Sequence, residues 1–97
     1  MSSIDPNATI QFSDSALNAE VGGAMMVMDP DAGKYYGLNA VGSEILRRLA
    51  QPTTPTRLVA DLIAHYDGPG DVIETETMDL LHSLLRRNLL VVSGPSS

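Results

Sequence analysis

The chain contains no cysteine. That excludes disulfides, thiolate catalysis and cysteine-based zinc sites, and it fits a reducing cytoplasm. No apolar stretch approaches the roughly 20 residues that a membrane span needs. The start, Met1-Ser2-Ser3-Ile4-Asp5, lacks the basic-then-apolar order of a secretory signal. The glycosylation sequon Asn7-Ala8-Thr9 therefore reads as accidental. Positive charge is scarce: six basic residues stand against twelve acidic ones, the net charge is −6, and Lys34 is the only lysine. Asp5, Asp14, Glu20, Asp29 and Asp31 all precede the first base. Such a balance argues against nucleic acid, whose phosphates call for lysine and arginine. It serves solubility, or attraction to a basic peptide. Catalytic signatures are missing too. Ser43 has no nucleophile-elbow context, no glycine loop is built to cradle phosphate, and two isolated histidines do not make a zinc site. The expectation is a non-enzyme with no cofactor and no metal.

Ninety-seven residues suffice for one domain with a modest core, here expected to be ordered over about residues 8–92. Ile10-Gln11-Phe12-Ser13 alternates apolar and polar, as a half-buried strand does. Residues 15–22 are ambiguous, and Gly22-Gly23 breaks the pattern. The apolar run at 24–28 is followed by Asp29-Pro30-Asp31-Ala32-Gly33, which has strong turn chemistry, and residues 34–38 return as a strand. On that strand Lys34, Tyr36 and Leu38 share one face, Tyr35 and Gly37 the other. The expected three-stranded antiparallel sheet joins the N-terminal strand, residues 24–28 and residues 34–38, leaving the last strand one open side.

Three amphipathic helices follow. The first has Asn39 as N-cap, a stripe of Val41, Ile45, Leu46 and Leu49, and a stop before Pro52. Gly42 within it reads as a close helix–strand approach. The second opens at Thr54-Pro55, carries Leu58, Val59, Leu62, Ile63 and Tyr66, and ends at Asp67-Gly68-Pro69-Gly70. The third starts near Val72 or Thr75, with Asp71 and Glu74 in a capping-box relation, and runs to Arg87. Asn88 stops it in a left-handed conformation. Residues 89–92 then form a short strand or simply pack, and the end from Gly94 is a tail. At about 100° per residue, Met78, Leu81 and Leu85 cluster on the third helix, while Leu80 and Leu84 sit to one side, against further core or a groove. His65 and His82 stand at ion-pair spacing from Asp61 and Asp79.

An open strand edge beside an apolar helix face is the arrangement that accepts a guest peptide as an extra strand. Tyr36-x-Leu38-Asn39-x-x-Gly42, the threonine-proline opening of the second helix, the Tyr66-Asp67-Gly68 end and the Leu81-x-x-x-Leu85-x-x-Asn88-Leu89-Leu90 close resemble the PqqD-like family of peptide-modification chaperones. The resemblance covers about residues 24–92. It departs at Leu46, where the family often has an aromatic residue after the first helix's isoleucine. Members include a subunit serving pyrroloquinoline quinone biosynthesis and the stand-alone leader-binding B1 proteins of lasso-peptide pathways, which the Tyr35-Tyr36 pair favours.

The resemblance implies an α+β, winged helix-turn-helix-like domain acting as a recognition element for ribosomally made, post-translationally modified peptides. A precursor's leader would add as a strand along Lys34, Tyr35, Tyr36, Gly37 and Leu38. It would lie against Met78, Asp79, Leu80, Ser83, Leu84 and Arg87 of the third helix. The implied partners are that leader and a leader peptidase or modifying enzyme, with no nucleic acid and no membrane. Arg87 is the candidate to meet a leader carboxylate. The competing reading is a winged-helix DNA-binding regulator, against which stand the acids Glu74, Glu76 and Asp79 on the would-be recognition helix.

Overall fold

A computed structural model describes residues 4–13, 18–29 and 33–94. Its elements are β1 (Thr9–Phe12), β2 (Asn18–Val21), β3 (Ala24–Asp29), β4 (Lys34–Gly37), α1 (Ala40–Arg48), α2 (Pro55–Tyr66), α3 (Gly70–Arg86) and β5 (Leu90–Ser93). Strands β2, β3 and β4 form an antiparallel three-stranded sheet in that order, while β1 pairs with β5 in a separate two-stranded sheet. No helix among the described residues is long and apolar enough to cross a membrane.

The first strand of the sheet is therefore not the N-terminal one that the sequence pattern indicated. Ile10 stands opposite Val92 and Phe12 opposite Leu90. The other side of β1 is bound to the α1–α2 connection, with Ile10 and Thr53 exchanging bonds of 2.7 and 3.0 Å and Phe12 N donating to Leu49 O. Both polar edges of β1 are thus satisfied where its apolar face can drop into the core, with Ile10 fully buried. The strand that does pair with β3 comes from the ambiguous stretch. Val21 faces Ala24 across a two-residue loop, Gly22-Gly23, whose φ angles of 61° and 86° are those of the type I′ hairpin turn that two glycines accommodate at little cost.

The helices end where local chemistry ends them. Asn39 Oδ1 accepts from Gly42 N and Thr54 Oγ1 from Arg57 N, each cap contributing about 1 kcal/mol. Asp67 takes the left-handed conformation that closes α2. α3 begins earlier than its polarity implied, at Gly70 after Pro69, and has no side-chain cap. Asp71 lies in its first turn, so the capping box with Glu74 is not formed. At the far end Asn88 has φ 60°, Asn88 N donates to Leu85 O and Leu89 N to Leu84 O. This is the Schellman closure, which turns the chain into β5.

Ile10, Ile45, Leu49, Leu58, Leu62, Leu81 and Leu89 are the largest apolar side chains with almost no exposure, each stabilising the fold by about 1.5–3 kcal/mol through burial. Met25 and Val27 bring the inner face of β3 into the same cluster. Neither histidine is ion-paired with a described residue. His65 meets Tyr66 edge-on, and Asp61 lies 3.9 Å from Arg48 instead. The centre of the turn expected at 29–33, and residues 95–97, lie outside the described residues.

Candidate peptide-binding edge

The open edge of β4 follows from hydrogen-bond alternation. Leu38 N donates to Met25 O at 2.9 Å, just beyond the ladder that pairs Gly37 with Met26, Tyr36 with Val27, Tyr35 with Met28 and Lys34 with Asp29. In an antiparallel pair the bonded positions alternate, so Leu38, Tyr36 and Lys34 point their main-chain groups at β3. Tyr35 and Gly37 point theirs outward. No described residue pairs with that edge, and the N-terminal segment that might have covered it is held elsewhere by β5 and Thr53.

The same alternation sorts the side chains. Met25, Val27 and Asp29 are buried on the inner face of β3, and Lys34, Tyr36 and Leu38 share that face across the ladder. Tyr35 and Gly37 lie on the outer face, with Tyr35 53% exposed. Gly37 sits in regular register opposite Met26. A side chain there would meet Met26 Sδ at 3.3 Å.

Helix α3 forms the wall beside this edge. Gly37, Leu38, Val41, Gly42, Glu76, Asp79 and Leu80 line a groove of about 330 Å³. Its narrowness rests on Gly42, where an added Cβ would come within 3.2 Å of Leu38 and 3.6 Å of Leu80; the close approach expected at this glycine is what the structure has. Ser43 fastens the sheet to α1: its Oγ accepts from Met25 N at 2.9 Å and donates to Leu38 O at 3.3 Å. One turn away, Tyr66 Oη donates to Ala40 O.

At the other end of the wall Arg87 reaches Asp29 Oδ2 at 2.7 Å and lies over the Tyr36 ring, 4.5 Å from its centre. Tyr36 first, then Asp29, hold the guanidinium more firmly protonated than usual, so it is a permanent cation. Asp29 is 6% exposed, so this pair ties the end of β3 to the end of α3. Tyr36 is accordingly a partly exposed ring, 37%, in contact with a cation. Because Leu80 meets the Gly37–Leu38 end and Arg87 meets Tyr36 and Asp29, strand and helix run in opposite directions along the groove. Glu76 to Arg87 spans about 16 Å of helix and residues 34–38 about 13 Å of strand, so the two are matched in length.

Of the residues the sequence placed at this site, Lys34, Tyr35, Tyr36, Gly37, Leu38, Asp79, Leu80 and Arg87 come together at the edge and its wall. Met78 is half-buried against the core, and Ser83 is half-buried. Leu84 is a correction: it is 3% exposed inside the core cluster, leaving its side chain no surface for a guest. Glu76, Asn39 and Gly42 also line it; the signals in the sequence are Glu76 one helical turn before Asp79 and Leu80, Asn39 next to Leu38, and Gly42 four residues after Leu38.

A larger cleft of about 700 Å³ lies between the end of α1 and the start of α2 and shares no residue with the edge. Two of its arginines are already engaged. Arg47 meets Glu20 and Glu44 and donates to Gly23 O. Arg48 Nε lies 2.9 Å from Glu44 Oε2, too oblique for a hydrogen bond. No group of three metal-ligating side chains occurs among the described residues.

The fold and the groove define a small winged-helix-like domain with a sheet edge held open beside a helix. The sequence profile described as coenzyme PQQ synthesis protein D (PqqD) matches residues 24–90, and the chain belongs to that family. No curated protein matches its sequence. Among solved structures it is similar to TbiB1 in complex with the TbiA(beta) leader peptide, with 29% identity, TM-score 0.70, and 82% of this chain and 93% of that one covered. It shares its fold with a lasso peptide synthetase B1 complexed with the leader peptide, at 21% identity and TM-score 0.69, covering 84% and 96%. The fold recurs in the PqqD truncation of Methylobacterium extorquens PqqCD, a stand-alone recognition element, at 13% identity and TM-score 0.72, covering 92% and 95%.

Proposed function

We propose that this protein is a non-catalytic cytoplasmic adaptor that binds the leader region of a ribosomally synthesised precursor peptide. The leader adds as a strand on β4 and is presented to a leader peptidase or modifying enzyme of a lasso-peptide or related pathway. The observation that carries this reading is the outward-facing backbone of Tyr35 and Gly37 beside the groove of Leu80 and Asp79. Backbone bonds at those two residues supply affinity, and side-chain contacts with α3 supply register. Similarity to TbiB1, whose structure holds a leader peptide, supports the same reading. So does the exposure of Glu74, Glu76 and Asp79 on α3, which would oppose a nucleic-acid phosphate.

Titrating the labelled protein with the leader of the precursor encoded beside it tests the proposal. The amide signals of Tyr35 and Gly37 should move most, and both should become protected from exchange, while those of Tyr36 and Leu38, already bonded to β3, move less. Shifts confined to β2 or to the cleft beside Arg57 would refute it.

A further inference from the structure

The groove and the far end of β4 that leads out of it carry opposite charges. Glu76 and Asp79 line the end beside Leu38 and are exposed, with no basic residue among the groove's lining. At the far end of β4 stand Lys34, exposed, and Arg87, paired at 2.7 Å with the buried Asp29, so that among the described residues two basic groups there face one acid. This polarity is imposed on a chain that is acidic as a whole, so it is a local feature and not the general field.

Strand addition converts the polarity into a sequence rule, and this step rests on the strand-addition reading above. In an antiparallel guest, the residues opposite Leu38, Tyr36 and Lys34 put their side chains on the inner face, toward α3. The residues between them, opposite Gly37 and Tyr35, make the backbone bonds. We propose that the groove selects an extended peptide by charge order: a basic side chain opposite Leu38, over Glu76 and Asp79, and four residues later an acidic side chain opposite Lys34, within reach of Arg87. The middle inward residue rests on the Tyr36 ring and the Leu80 side and is apolar. Reversing the order sets like charges against each other at both ends.

Two blocked heptapeptides of identical composition isolate this effect, Thr-Lys-Thr-Val-Thr-Glu-Thr and Thr-Glu-Thr-Val-Thr-Lys-Thr. Their net charges are equal, so attraction to the whole protein cancels. At low salt the lysine-first peptide should bind about tenfold more tightly, by amide shifts at Tyr35 and Gly37, and the gap should close near 0.5 M salt. In the triple variant Lys34→Glu, Glu76→Lys, Asp79→Lys, all surface changes, the preference should invert. Equal binding of the two peptides, or preference for the glutamate-first one by the unaltered protein, overturns the charge-order rule. So does failure of both peptides while the natural leader still moves the Tyr35 and Gly37 amides; strand addition would then survive. If the leader leaves those amides unmoved as well, both readings fall. Protection of the two amides in a self-associated free protein would overturn the rule by assigning the edge to a second copy.

Discussion

Leu80 and Leu84 lie on the same flank of α3 and look equivalent in the sequence, yet truncating them should do different things. Leu84 is 3% exposed and packed within the core. Leu84→Ala removes buried methyl groups and leaves a cavity, at a cost of about 3 kcal/mol. Against a total stability of about 5–15 kcal/mol for a chain this size, that is a large share. With about 4–8 °C per kcal/mol at this size, the midpoint should fall by roughly 12–24 °C. Leu80 is half-buried, touching Gly42 and lining the groove. Leu80→Ala should cost only about 1 kcal/mol of stability and lower the midpoint by about 4–8 °C. It also removes the apolar wall that a guest would cover, so leader affinity should fall about tenfold, equivalent to about 1.4 kcal/mol. Thermal melts followed by circular dichroism, with calorimetric titration below each variant's melting range, separate the two effects. Leu84→Ala should bind the leader normally while folded. Melting of the two variants at the same temperature, or a loss of affinity in Leu84→Ala but not in Leu80→Ala, would refute these assignments.

Ser43→Ala strands the buried Met25 amide that Ser43 Oγ satisfies. It should cost about 1–3 kcal/mol in a urea titration, and Met25 should exchange its amide hydrogen faster than in the unaltered protein. Asn88→Ala keeps the chain in a left-handed turn without the side chain that tolerates it; a loss of about 1 kcal/mol is expected by the same titration, while Asn88→Gly should be neutral or slightly stabilising. Thr77 is fully buried with its hydroxyl bonded to Ile73 O in its own helix, so the similarly sized Thr77→Val should shift stability by less than about 1 kcal/mol, and a larger loss by melt would mean that the hydroxyl has a further role.

What could be read in the sequence followed local rules. The caps at Asn39 and Thr54, the stop at Asp67, the left-handed Asn88 and the 34–38 return strand each depend on a few adjacent residues, and each is found where those residues put it. β2 is legible as well, since Gly22-Gly23 between two extended runs is a hairpin signal in its own right. The alternation of Lys34, Tyr36 and Leu38 against Tyr35 and Gly37 was enough to say which residues share a face. It did not reveal that Arg87 would cross from α3 to bind Asp29, 58 positions away.

Local order thus came from neighbours along the chain: capping groups, turn formers and apolar spacing act over three or four residues and leave their mark in the residues themselves. Tertiary packing made the other choices, namely that β1 joins β5, that Leu84 goes inside while Leu80 stays at the wall, and that no described residue pairs with the outer side of β4. Those outcomes turn on which of several similar apolar surfaces meet. Such competition is decided by the shape and hydrogen-bond needs of the whole core, and no single segment carries it.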